Sequence, residues 1–100
     1  MASTQFPIAA ICGSMRYFQR MLKVADDLSC DGWIVLMPFS DFSGDRPPDD
    51  IKKMLDDMHF TKISMSERVY IVGTHIGEST GKEIEYAQLH GIEVHYIANP

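Results

Sequence analysis

Residues 6–14 read FPIAAICGS, and this stretch decides the fold. Its first seven residues are almost wholly apolar, and Gly13 and Ser14 end the run. An apolar run of this length before a glycine is typical of a strand that is buried on both faces, as in a parallel sheet. Ser14 suits the N-cap position of a helix, because the apolar residues that follow recur at helical spacing as far as Leu28. The stretch therefore predicts a buried strand, a sharp turn and a helix.

The rest of the chain repeats this alternation. The predicted strands are residues 6–12, 33–37, 69–73 and 94–97, and the predicted helices cover about 14–32, 48–62 and 79–90. Residues 40–48 are rich in turn formers and predict a loop. Because a helix separates each strand from the next, neighbouring strands should be parallel. We therefore expect a three-layer α/β fold, with a doubly wound parallel sheet of four to five strands in a flavodoxin-like, or Rossmann-like, order.

Ligands of such sheets bind beyond the carboxyl ends of the strands, where the strand order reverses. Three segments of this chain should lie there, namely residues 13–16, 38–48 and 73–83. The search for functional residues therefore concentrates on these segments.

The composition indicates a single folded domain over residues 1–100. Hydrophobic residues make up 45% of the chain, which excludes a disordered protein, and the formal charge is −5. The acidic balance argues against a nucleic-acid polymer as partner, since binding its phosphates needs clustered Lys and Arg. It leaves room for a single nucleotide, which one Arg and a few backbone amides can hold. We also expect no membrane partner, because no apolar run approaches the ~20 residues that cross a bilayer.

The two cysteines, Cys12 and Cys30, do not form a disulfide framework, so we expect both to be reduced and the protein to be cytoplasmic. A metal site is not expected either. No pair of Cys or His residues has the spacing of metal ligands, and the four histidines are scattered along the chain.

The segment after the first strand has the features of an anion site. Gly13 allows a sharp turn, Ser14 adds a hydroxyl, and Arg16 adds a permanent cation that can grip a phosphate with two bonds. The alternative is that Ser14 only caps the helix and Arg16 is solvated. Spacing alone does not decide between the two.

The segment from residue 77 to residue 87 also follows a strand and opens a helix. On a helical wheel Ile84 and Ala87 face the sheet, and Glu83 lies at the edge of that face, close to the crevice. The alternative is a capping box, because Thr80 and Glu83 have the S/T-x-x-E spacing in which the glutamate only reaches back to an amide. Local sequence favours the capping box.

His59 stands near the end of the helix that enters the third strand. A histidine there can act near neutral pH, but a lone one is more often a surface residue. Tyr17 and Trp33 can stack on a base, although core packing is the safer interpretation.

Together these segments resemble the nucleoside 2-deoxyribosyltransferase-like superfamily, which includes the 2'-deoxynucleoside 5'-phosphate N-hydrolases. The resemblance is carried by ICGSMR at residues 11–16, by residues 77–91 with the core Glu83-Ile84-x-Tyr86-Ala87, and by the register of residues 66–69 between them. It spans most of the chain. One departure is Glu85, which stands where the family usually has a glycine.

The resemblance implies a retaining glycosidic cleavage, in which Glu83 attacks the anomeric carbon of the sugar, the base leaves, and water or another base takes the sugar. His59 aligns with a family aspartate that helps the leaving base or positions the sugar, so it is expected to be an acid or a positioning group. The residues expected to hold the 5'-phosphate are Gly13, Ser14, Arg16, Gly77, Ser79 and Thr80. No metal or organic cofactor is implied. A homodimer or a higher homo-oligomer is expected, because family members typically complete their site from a neighbouring subunit.

We therefore expect an N-glycosidase or deoxyribosyltransferase that acts on a nucleoside 5'-monophosphate. A non-catalytic module that senses or sequesters a nucleotide-derived ligand would use the same crevice. A third possibility is a small flavodoxin-like domain whose partner is another protein.

Overall fold

The computed structural model of the protein describes residues 5–38 and 47–98. Most of the loop predicted over 40–48 falls outside these residues. The elements in chain order are strand β1 (Ile8–Cys12), a 3-10 helix (Met15–Tyr17), helix α1 (Phe18–Cys30), strand β2 (Ile34–Leu36), helix α2 (Asp49–Ser64), strand β3 (Arg68–Val72), helix α3 (Glu78–Leu89) and strand β4 (Glu93–Ile97). The predicted alternation of strands and helices is confirmed.

The four described strands form one sheet in the order β2-β1-β3-β4, and every neighbouring pair is parallel. This is the predicted doubly wound arrangement. The chain leaves β1 toward β2 on one side and later returns to β3 on the other, so the order reverses between β1 and β3. The carboxyl ends of these two central strands therefore frame the crevice in which such sheets bind ligands.

The helices cover both faces of the sheet and make three layers. Successive β1 side chains point to opposite faces, as the two-residue period of a strand requires. The core on the α1 face contains Ala9, Ile11, Met21, Val24, Leu28 and Val72. The core on the opposite face contains Ala10, Cys12, Ile63, Val69, Ile71 and Ala87, contributed by β1, α2, β3 and α3. Cys12, the last residue of β1, thus points toward α2 and α3.

The second strand, predicted over residues 33–37 as another apolar run, is shorter and less buried than the first. β2 is only three residues long, and Ile34 is 40% exposed. The difference arises because β2 lies at the edge of the described sheet, whereas β1 lies in its middle. An apolar run in the sequence does not reveal which of these two positions a strand takes.

The glycines that were expected to end the first and third helices do so. Gly32 has φ +91° and Gly91 has φ +69°, which are left-handed conformations that favour glycine. Within the described ranges, no helix has both the length and the apolar character that crossing a membrane requires.

Candidate active site

Two glycines allow the chain to turn closely at the carboxyl ends of the central strands. Gly13 follows β1 with φ +146°, and a Cβ there would lie 2.7 Å from the carbonyl oxygen of Val72. Gly73 follows β3 with φ +89°, and a Cβ there would collide with the ring of Tyr17. Neither position accepts a side chain without displacing its neighbour. The ends of β1 and β3 are thereby held in close contact.

Tyr17 joins two of the segments that the sequence places at the crevice. Its hydroxyl accepts a hydrogen bond of 3.0 Å from the backbone N–H of His75, in the loop after β3. The Tyr17 ring also packs partly against the core on the α1 face, which confirms the core-packing interpretation of this residue. The turn after β1 and the loop before α3 therefore form one connected surface.

Cys12, His59 and Glu83 meet beside this surface, on the face of the sheet that α2 and α3 cover. We call them the Cys12–His59–Glu83 cluster. His59 Nε2 lies 3.3 Å from Cys12 Sγ and 3.9 Å from Glu83 Oε1. Cys12 is fully buried and His59 is 5% exposed, whereas the Glu83 side chain is 15% exposed. Glu83 is thus the member of the cluster most open to solvent.

Helical spacing explains why Glu83 and His59 turn inward. Ile84 and Ala87 pack against the sheet as the helical wheel predicts, and this sets Glu83 at the edge of the buried face. On α2, His59 stands four residues before Ile63, which is completely buried, and residues four apart share a helix face. The interpretation of His59 as a surface residue is therefore wrong.

The capping-box interpretation of Glu83 is also wrong. α3 begins at Glu78, its N-cap is Gly77, and the cap has no side-chain hydrogen bond. Thr80 is therefore a buried residue inside the first turn of α3 rather than the residue before the helix. The helix starts earlier than the S/T-x-x-E spacing suggests, because the extended backbone of Gly77 already leads into it. The Glu83 carboxyl group therefore faces the Cys12–His59–Glu83 cluster and not the start of its own helix.

Burial dominates the electrostatics of the cluster. Desolvation raises the pKa of Glu83 to about 7, with the Cys12 thiol opposing that rise and the charge of Asp56 adding to it. Desolvation lowers the pKa of His59 to about 4, and the positive charge of Lys62 adds to that effect. Burial, and after it the nearby Glu83, raises the pKa of Cys12 well above its ordinary value. At neutral pH the cluster therefore holds a thiol, a neutral imidazole and a carboxyl group that is divided between its two protonation states.

Most of the residues expected to bind phosphate are less enclosed than the cluster, and the exception is Thr80, which is buried. The Ser14 hydroxyl accepts a hydrogen bond of 3.4 Å from the backbone N–H of Arg16, so Ser14 caps the 3-10 helix, while the Arg16 residue is exposed. This turn separates Ser14 from α1, which begins only at Phe18. Ser79, in the first turn of α3, is exposed as well. Ser14 therefore caps the short 3-10 helix and not α1, whose N-cap is Tyr17, and a phosphate role for these residues stays a prediction.

Cys12 is the member of the cluster that the sequence did not reveal. It stands 47 residues before His59, so no local spacing connects the two. The available signal is that Cys12 is the last residue of β1. Because side chains alternate between the two faces of a strand, this position puts Cys12 on the face opposite Ile11. Both cysteines are free thiols, as expected, and Cys30 is exposed.

Comparison of the chain with protein-family models and with curated protein sequences gives no match. The resemblance to the deoxyribosyltransferase-like superfamily thus stays a prediction that rests on the quoted residues.

Proposed function

We propose that the protein is an N-glycosidase, or a deoxyribosyltransferase, that cleaves the N-glycosidic bond of a nucleoside 5'-monophosphate with Glu83 as the nucleophile. The observation that supports this proposal most is the position of the Glu83 carboxyl group. It lies in a buried cluster beside the carboxyl end of β1, and it does not cap its own helix. A carboxyl group with a raised pKa near a crevice is a candidate for catalysis.

The reaction has two steps. In the first, a carboxylate oxygen of Glu83 attacks the anomeric carbon, the carbon–nitrogen bond breaks, and its electron pair leaves with the base, which takes a proton from solvent. In the second, water attacks the same carbon of the sugar–Glu83 ester. This step frees the sugar phosphate, restores the carboxylate and releases a proton. If another base replaces water, the outcome is transfer of the sugar rather than hydrolysis.

His59 acts in this proposal by positioning Glu83 rather than as an acid. With a pKa of about 4, only about one imidazole in a thousand is protonated at pH 7. The neutral ring lies 3.3 Å from Cys12 Sγ and 3.9 Å from Glu83 Oε1, so it can restrict where the thiol and the carboxyl group point. Of the two roles that the sequence left open for His59, this favours positioning.

The phosphate of the substrate would lie across the surface that Tyr17 connects. Gly13, Ser14 and Arg16 would approach it from the turn after β1, and Gly77 and Ser79 from the loop and first turn of α3. Thr80, which the resemblance also implies, is buried and is left out of this proposal. Arg16 supplies the permanent positive charge, and its exposure leaves it free to reach a ligand. We further propose that the protein acts in the cytoplasm as a homodimer.

The test is chromatography of the free base released from ribo- and deoxyribonucleoside 5'-monophosphates, with the matching nucleosides alongside. We expect the wild-type chain to release base and Glu83→Gln to lose at least about a thousandfold of that activity, because the amide cannot form the ester. Glu85→Gln is the matched control, since Glu85 is an exposed glutamate on the same helix. Equal activity of the two variants would remove Glu83 from the mechanism.

A non-catalytic nucleotide-binding module is the second candidate. The observation in its favour is the low pKa of His59, about 4, which leaves His59 unable to give a proton to the leaving base at neutral pH. Such a module would show a thermal shift with nucleotides that depends on Arg16, and no base release from any substrate.

A further inference from the structure

The Cys12–His59–Glu83 cluster combines the three kinds of ligand that zinc prefers in proteins. These are a sulfur, an imidazole nitrogen and a carboxylate oxygen. The three donor atoms come from β1, α2 and α3, and they all lie within 4.8 Å of one another. We propose that Cys12, His59 and Glu83 form a three-ligand binding site for a zinc ion.

The sulfur and the nitrogen are already spaced for a tetrahedral zinc ion, whereas the carboxylate oxygen lies farther from both. Zinc bonds to sulfur are about 2.3 Å long, and those to nitrogen and oxygen about 2.0–2.2 Å, which at tetrahedral angles puts the donor atoms about 3.3–3.6 Å apart. His59 Nε2 and Cys12 Sγ are 3.3 Å apart, and His59 Nε2 and Glu83 Oε1 are 3.9 Å apart. The sulfur and the nitrogen thus need almost no adjustment. The carboxylate has to move toward both of the other donors, by up to about 1 Å. Glu83 is the most exposed member of the cluster.

The orientation of His59 leaves the correct nitrogen free for a metal. Nε2 faces Cys12 and Glu83, so it is the ligand atom. Nδ1 is buried and has no hydrogen-bond partner among residues 5–38 and 47–98. With the metal on Nε2, the proton of the neutral imidazole stays on Nδ1.

Charge favours a divalent ion in this buried place. A Cys12 thiolate and a Glu83 carboxylate together carry two negative charges, and the neutral imidazole adds none. A divalent cation that displaces the thiol and carboxyl protons makes the whole cluster neutral, which removes the cost of burying unpaired charges. The sulfur ligand selects zinc over magnesium and calcium, which prefer oxygen.

Zinc would also control the reaction proposed above, and this consequence rests on the proposed function. A metal bound to the Glu83 carboxylate draws electron density from both of its oxygens and holds the group within the cluster, which makes it a weaker nucleophile toward the sugar. Zinc should therefore suppress base release, and a chelator should restore it. The binding itself does not depend on the function, so the two proposals can fail separately.

Cobalt(II) titration of the full chain tests the site directly, because cobalt replaces zinc and shows a charge-transfer absorption when a thiolate binds it. The chain has only two cysteines, so in a Cys30→Ser variant any such absorption has to come from Cys12. We expect one cobalt per chain with this absorption in wild type and in Cys30→Ser, and its loss when one equivalent of zinc is added. His59→Gln should weaken cobalt binding at least tenfold. His95→Gln is the matched control, because His95 lies 3.4 Å from Glu93 on the surface and should leave binding unchanged.

The outcomes separate the two proposals. Absence of thiolate absorption in Cys30→Ser, or equal binding by His59→Gln and His95→Gln, overturns the zinc site whatever the enzyme activity. Cobalt–thiolate absorption in a protein that releases no base supports the zinc site and contradicts the glycosidase. Base release that zinc leaves unchanged, in a protein that shows no cobalt–thiolate absorption, supports the glycosidase and overturns the zinc site.

Discussion

The two sides of the crevice are built differently. On one side, the Cys12–His59–Glu83 cluster is buried beneath α2 and α3, and desolvation shifts the pKa of each of its members. On the other side, Arg16 and Ser79 are exposed to solvent. The groups on the buried side lost their water when the chain folded, so their protonation affects the stability of the chain as well as its chemistry. The exposed side contributes little to stability and is suited to binding, so substitutions on the two sides should have separable effects.

The largest expected effect concerns the pH dependence of stability on the buried side. The pKa of Glu83 is about 7 in the folded chain against an ordinary 4.5, so its contribution to stability is complete below pH 4.5 and is lost as the pH rises through 7. The pKa of His59 is about 4 against an ordinary 6.5, so its contribution is complete above pH 6.5 and is lost as the pH falls through 4. Each contribution is on the order of 3 kcal/mol.

Because the two effects oppose each other, wild-type stability should change little between pH 4.5 and 6.5. Urea unfolding in the presence of a chelator should show that Glu83→Gln becomes more stable as the pH rises over this range and that His59→Gln becomes less stable, each by about 3 kcal/mol. Glu85→Gln should follow wild type. Parallel pH profiles for all four proteins would mean that burial does not control these groups.

The next effect concerns the exposed side. Arg16→Ala should reduce kcat/KM for a nucleoside 5'-monophosphate about 30-fold, which corresponds to about 2 kcal/mol for a lost charged hydrogen bond to phosphate. Hydrolysis of the matching nucleoside and the unfolding free energy should stay unchanged, because the exposed side chain has little else to contact. Lys23→Ala is the control, since Lys23 is a cation of the same helical region that pairs with Asp27. Equal losses with nucleotide and nucleoside would refute the phosphate role of Arg16.

The smallest effect concerns the connection between the two segments at the crevice. Tyr17→Phe removes the hydroxyl that accepts the hydrogen bond from His75, at a cost of about 1 kcal/mol in unfolding free energy. The same change at Tyr96, which is 62% exposed, should cost almost nothing. Thermal unfolding of both variants checks the difference, and equal melting temperatures would show that the Tyr17 hydroxyl does not hold the two segments together.

Local pattern was sufficient for most of the fold. The apolar run before Gly13 and the left-handed glycines at 32 and 91 act within a few residues of themselves, so the sequence displays them directly. The inward face of α3 was predictable for the same reason, since Ile84 and Ala87 share one helical period.

The site was only partly predictable because it depends on contacts between distant elements. The helical position of Glu83 predicts that it lies near the crevice, but the local S/T-x-x-E motif favours a capping role. Only the observed start of α3 at Glu78 excludes the capping role. Cys12 and His59 meet because the doubly wound order packs α2 against the face that carries the last residue of β1. The exposure of β2 likewise follows from its edge position, which cannot be predicted from the residues of β2 themselves.

The most direct test of the central claim, that Glu83 is the nucleophile, is mass spectrometry of the protein after incubation with a nucleoside 5'-monophosphate and rapid acid quenching. The account predicts a mass increase of one sugar phosphate on the peptide that contains Glu83, present in wild type and Glu85→Gln and missing in Glu83→Gln. Release of free base by a wild-type protein that carries the sugar on another residue, or on none, would contradict it.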